Sequence, residues 1–111
     1  MDTGMDIRAI IKRILRDYAE IKPAYGQVET ETIFDDENSH YEVIRLGWDG
    51  HRRVHGCLLH VDVREGKVWI QRDGTEEGIA NELVEAGVPR EQIVLAFRHP
   101  DTRKHTGFAT A

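Results

Sequence analysis

The spacing of apolar residues changes period along the chain, and each change marks an element. Ile7, Ile10, Ile11, Ile14, Leu15, Tyr18 and Ile21 recur every three or four residues, with Arg8, Lys12, Arg13, Arg16 and Asp17 mostly off the stripe. That is the signature of an amphipathic helix. Thr3 or Asp2 suits its N-cap and Asp6 its first turn. Pro23 predicts a stop by Lys22, because the residue before proline avoids the helical region. Such a stripe needs an apolar surface to cover. A sheet is favoured over a membrane surface, because strands follow.

From Val28 to Asp73 the period falls to two. Val28, Thr30, Thr32 and Phe34 share one face of a first strand, with Glu29 and Glu31 on the other. Asp35 to Ser39 reads as a turn. Tyr41 to Trp48 predicts a second strand, and Asp49-Gly50 a tight hairpin of type I′. Arg52 to Val63 predicts a long third strand in which Gly56 marks a bulge. Glu65-Gly66 turns the chain into a fourth strand, Val68 to Arg72. Three short connections in succession imply an antiparallel meander.

Trp69 to Phe97 then compresses several signals into one stretch. Asp73-Gly74 ends the strand, Thr75 is placed to cap a helix, and Glu76 and Glu77 suit its first turn. Ile79, Ala80, Leu83 and Val84 form the buried stripe. Gly87 and Pro89 close the helix. Ile93 to Phe97 reads as a fifth strand, with a single helical turn as the alternative at this length. The expected fold is therefore α+β, a single domain over 1–111. An N-terminal helix packs on a four-stranded antiparallel meander, followed by a second helix and a short fifth strand. The two tryptophans, Trp48 and Trp69, are expected to fill the core between helix and sheet, as their size favours.

Charge narrows the partners. The net charge of −5 argues against a protein built mainly to grip a phosphate backbone. Residues 26–50 hold seven acids against one base, Arg45. Two readings fit: a solvated acidic edge and loop, or an acidic face that docks a basic partner. One cysteine, Cys57, excludes an internal disulfide framework and suits a reducing cytoplasm. No apolar run approaches the ~20 residues of a membrane span, and the N-terminus lacks the pattern of a signal peptide. The expected location is cytoplasmic.

Candidate chemistry is sparse. Asp49, Glu65 and Lys67 loosely imitate the acids and lysine of a metal-dependent nuclease, but one strand separates Asp49 from Glu65, so they fall at opposite ends of it. His51 and His55 share a strand face yet stand about 13 Å apart, too far for one zinc. Plain alternation puts His60 on the other face. Cys57, mid-strand, reads as a packing residue rather than a nucleophile. Gly74 to Gly78 lacks the lysine of a phosphate loop and carries two acids. Catalytic, cofactor and metal residues are therefore expected to be absent. Arg52 and Arg53 beside the hairpin form the one candidate DNA contact, with Trp48 or Trp69 as stacking partners. Gln71, Arg72 and Asp73 leave the fourth strand without an evident structural duty, next to Glu76. They are the candidate partner contact.

The residues also carry a resemblance. The segments AEIKPAYGQVETETIFD (19–35), 40–100 with its unusual word WIQRDGTEEGIA, and TGFATA (106–111) resemble the XisI family, the fdxN element excision controlling factors of cyanobacteria. The resemblance spans nearly the whole chain. It implies a small α+β domain with a role in programmed excision of a DNA element during heterocyst differentiation, where a site-specific recombinase does the cutting. It also implies action beside an XisH-like protein, and supplies no catalytic motif to transfer. The resulting expectation is a non-enzymatic controlling factor that works through protein partners. The alternatives are a direct DNA-binding accessory factor and, less favoured, a cryptic metal-dependent nuclease. The helix or an exposed sheet edge would each support a homodimer.

Overall fold

A computed structural model describes residues 6–23 and 26–111. The first helix, α1, spans Ile7–Ala19. Asp6 is its N-cap, accepting a hydrogen bond from the Ala9 amide at 3.2 Å, rather than a first-turn residue. Thr3 and Asp2 lie outside the described residues. The helix ends three residues before Lys22, because the Glu20 and Ile21 amides fold back onto the Arg16 and Tyr18 carbonyls. Ile21, last of the stripe, is consequently exposed. Ile11, Ile14 and Leu15 are buried on the sheet, so the apolar face of α1 is occupied.

The strands are β1 (Gln27–Asp35), β2 (His40–Asp49), β3 (Arg52–Arg64), β4 (Lys67–Asp73) and β5 (Ile93–Leu95), in the sheet order β1-β2-β3-β4-β5. The first three pairings are antiparallel, as the meander pattern predicts. β5 runs parallel to β4, which demands a crossover. Helix α2 (Ile79–Glu85) and a 3₁₀ turn at Arg90–Gln92 supply it. The predicted α+β architecture is the one observed. A short helix, α3 (Pro100–Arg103), follows in the tail.

Two turns differ in detail from expectation. β2 runs through Asp49, so the first hairpin loop is Gly50–His51, and only Gly50 has positive φ. A type I′ turn needs two such residues. Glu65 and Gly66 have φ of 52° and 75°, so the next hairpin carries that pattern instead.

Two one-residue insertions set which side chains point where. Val43 pairs with Leu59 but Ile44 with Cys57, which leaves Leu58 as an extra residue in β3. Val61 pairs with Ile70 but His60 with Arg72, which leaves Gln71 extra in β4. The first bulge lies two residues beyond Gly56, where it was expected. Each bulge shifts the inside–outside alternation by one. Tyr41, Val43, Leu59, Val61, Val68 and Ile70 thereby converge beneath α1 and α2 with Ile79, Leu83, Val88 and Ile93.

The start of α2 also differs. Thr75 lies outside the helix, whose N-cap is Gly78 at φ 83°. The end of the strand does the capping: Asp73 accepts hydrogen bonds from the Ile79 amide at 2.8 Å and from the Thr75 amide and hydroxyl. Thr75 Oγ1 in turn accepts from the Gly78 amide. Glu76 and Glu77 precede the first turn and are exposed. Tyr18 of α1 donates to Glu82 of α2 at 2.6 Å and ties the helices together.

Asp73→Ala strips the helix entrance of its acceptor, and the expected loss is about 1–2 kcal/mol by urea unfolding. Burial, reinforced by the hydrogen bond to Glu82, pushes the Tyr18 phenol up to about 12. Burial and Asp36 push Tyr41 up to about 12 as well. Because the unfolded phenols ionise near about 10, the fold favours the protonated form. Stability is then full below about pH 10 and falls as pH rises toward 12. An absorbance titration should find both tyrosines ionising late, and Tyr41→Phe should remove one of the late steps.

Candidate functional site: the open face of the sheet

Both α1 and α2 pack on one face of the sheet. Among the described residues, the opposite face carries neither of them and is approached only at its β4 end, where Arg103 of the short α3 lies over Trp69, and α1 is too short to cover even its own side. Thirteen helical residues reach about 20 Å, whereas the 13 residues of β3 reach about 43 Å. The β2–β3 hairpin therefore projects past the core, and the molecule extends 50 Å along its long axis.

At the core end of the bare face sits a polar cluster centred on Asp62, whose side chain is only 3% exposed. Oδ1 meets His40 Nδ1 and lies 2.8 Å from His60 Nε2. Oδ2 accepts from Arg64 Nη2 at 3.1 Å and from Gln71 Nε2 at 3.3 Å. The two imidazoles meet edge to face with centroids 4.8 Å apart. Burial pushes the Asp62 carboxyl up, but the hydrogen bonds from His60 and His40 outweigh it and hold the group below its ordinary range. A buried carboxylate with four partners is a satisfied one.

The bulge at Leu58 creates this cluster. Without it, His40 would face Val61 and the core would receive His60 and Asp62. Plain alternation therefore misplaces His60, which shares its face with His55. The available signal was the Leu58-Leu59 doublet, where the apolar phase of β3 changes from even to odd positions.

Both tryptophans lie on this face rather than in the core. Trp48 is 51% exposed near the hairpin tip, with the Arg53 guanidinium over its ring at 5.3 Å. Trp69 is partly buried between Arg64 and Arg103, at 5.8 and 5.7 Å. Arg103 also donates to the carbonyls of Ala96, Arg98 and Thr110, so the tail is folded against β4 and β5. Ile44 and Leu46 fill the middle of the face beside Cys57, and Ile33 is half exposed on β1. Burial and the nearby Glu42 carboxylate raise the Cys57 thiol, which opposes a nucleophilic role.

The family model described as XisI protein matches residues 1–110. The chain belongs to the XisI family. Two solved structures from Anabaena variabilis ATCC 29413 share its fold. A XisI-like protein is 38% identical with a TM-score of 0.87, and the match covers 94% of this chain and 95% of that one. The fdxN element excision controlling factor XisI is 34% identical with a TM-score of 0.81, over the same shares of the two chains. No curated protein matches the chain. Family membership supports a role as an excision controlling factor in general terms, and the family's name points to a regulator rather than an enzyme.

The residues singled out from sequence fall in separate places on this XisI-family fold. Gln71 and Arg72 are on the bare face, where Gln71 holds Asp62 and Arg72 Nε donates to the Cys57 carbonyl at 3.3 Å. Asp73 is on the helix face and caps α2. Glu76 lines a groove with Tyr18, Pro23, Arg45 and Leu58. Structural duties thus exist for three of the four, and the bulge at Gln71 divides the set between two faces. Arg52 pairs loosely with Asp49 at 3.5 Å, and both Arg52 and Arg53 are exposed at the hairpin. Asp49 and Glu65 stand at opposite ends of β3, so a nuclease-like convergence does not form from them. No helix among the described residues is long and apolar enough to cross a membrane.

Asp62→Ala leaves the Gln71 amide and two imidazoles without their acceptor. Its expected cost is about 1–3 kcal/mol in a denaturant titration at neutral pH. Asp62→Asn, which keeps one oxygen acceptor, should cost less.

Proposed function

We propose that this XisI-family chain is a non-enzymatic, cytoplasmic controlling factor that governs programmed DNA excision by binding a protein partner, an XisH-like protein, beside a site-specific recombinase complex. The observation that carries the reading is the open edge of β1. Among the described residues its nine pair only with β2, and Glu29 and Glu31 point to the bare face next to Ile44 and Leu46. An unpaired edge of this length is a template for strand addition.

The acids decide which strand it accepts. A second copy of β1 laid antiparallel about Thr30 would set Glu29 against Glu31, and like charges directly opposite are destabilising. A partner strand carrying Lys or Arg gains from the same positions, with Ile33, Ile44, Leu46 and Trp48 as the apolar floor. The other acids of the segment are less free. Asp35 accepts from Asn38, and Asp36 holds Lys12 and Tyr41.

Co-expression with a cognate XisH-like protein should give a complex that survives purification at low salt and weakens as salt rises. Glu29→Lys with Glu31→Lys, or Ile33→Glu, should weaken it by roughly tenfold or more while the circular dichroism spectrum is retained. Failure of the unaltered chain to form any complex would sink the reading.

A second reading has its own support. Arg53 over the half-exposed Trp48 ring makes a cationic, stackable surface at a projecting tip, of the kind that binds unpaired bases. It predicts a low-salt mobility shift that Arg52→Ala with Arg53→Ala removes.

A further inference from the structure

We propose that His40, His60 and Asp62 form a binding site for a divalent transition-metal ion of the zinc class. One donor atom from each residue lies within 4.8 Å of the other two, and His40 Nδ1 and His60 Nε2 both meet Asp62 Oδ1. Two imidazoles and a carboxylate are the borderline nitrogen and oxygen set that zinc, cobalt and nickel take. The three residues come from neighbouring rows of two paired strands. The bulge at Leu58 fixes their register, so the arrangement is held by backbone rather than by flexible side chains.

The carboxylate is prepared for this role. Arg64 and Gln71 both hold Oδ2, which fixes the plane of the group and leaves Oδ1 turned toward the imidazoles. Outer partners of this kind orient metal ligands in known sites. Access is open, since the His40 side chain is 47% exposed and that of His60 26%.

Insertion requires a small adjustment. Ligands bound at about 2.0–2.1 Å in a tetrahedron stand roughly 3.3 Å apart, so the 2.8 Å contact between His60 and Asp62 opens by about half an ångström and the closer His40 contact by somewhat more. To bind the ion, each neutral imidazole carries its proton on the ring nitrogen turned away from Asp62, His40 Nε2 and His60 Nδ1, so that the lone pair now facing the carboxylate meets the metal instead. Three protein ligands leave a fourth position to water. The Arg64 charge opposes the cation, but its side chain is 57% exposed and its guanidinium lies over Trp69, so the repulsion is screened.

The test uses the full-length chain, free of any histidine tag and stripped with chelator. Zinc titration by calorimetry should show one saturable site per chain. Cobalt should give the visible absorption of a low-coordinate nitrogen and oxygen site. His40→Ala, at an exposed position that leaves the core untouched, should weaken zinc by at least about tenfold and abolish the cobalt spectrum. His60→Ala should do the same, and His55→Ala should leave both unchanged. A chain that binds no zinc, binds it without saturation, or keeps its affinity in both His40→Ala and His60→Ala overturns the assignment. In that case the cluster is a structural ion pair only.

Discussion

One extra residue in β3 governs this molecule. Leu58 has no partner in β2, and from that point the two faces of the strand exchange. Leu59 and Val61 enter the core opposite Val43 and Tyr41, while His60 and Asp62 move to the bare face opposite Glu42 and His40. Were the pairing regular, the core would hold a carboxylate and an imidazole against α1. Burying an unpaired charge there costs far more than a bulge does. The apolar core and the polar cluster are thus two results of the same register shift.

The second bulge works in the opposite sense. At Leu58-Leu59 two apolar residues in succession face the helices, whereas Gln71 and Arg72 are two polar residues opposite the single residue His60. Gln71 reaches Asp62 because of it, and the next residue, Asp73, turns to the helix face and caps α2. The strand end therefore serves both sides of the sheet within three residues. Each bulge also adds twist where β3 is longest.

Most of the fold was legible because it is local. Helical spacing, turn residues and strand alternation report neighbours in sequence, and α1, the meander and the crossover follow from them. What escaped was non-local or depended on phase. β2 is apolar on both parities near its end, with Ile44, Leu46 and Trp48 on one and Val43 on the other, so pattern alone did not say which side faced α1. Size favoured a buried Trp48. Its parity puts it on the face away from α1, which left it half in solvent. The cap of α2 was misassigned because Thr75 satisfies the usual residue preference, whereas Asp73 reaches the Ile79 amide six residues ahead. The Asp62 cluster needs two strands and a bulge to exist, and no spacing rule along one strand encodes it.

The two edges of the sheet are treated differently, and the difference bears on assembly. At the β5 edge the tail returns: the Ala109 amide donates to the Ile93 carbonyl at 2.8 Å, Val94 forms a bridge with Ala109, and Arg90 covers Phe108. Arg103 fastens this tail to three carbonyls and lies over Trp69. That edge is blocked by the chain itself. At the β1 edge no described residue does the same. Closing one edge and leaving the other open gives the sheet a single direction in which to grow. Placing Glu29 and Glu31 on that edge biases it against a second copy of itself. An edge with that charge sign is suited to one heterologous strand, and this is the physical argument on which the proposed action through a protein partner rests.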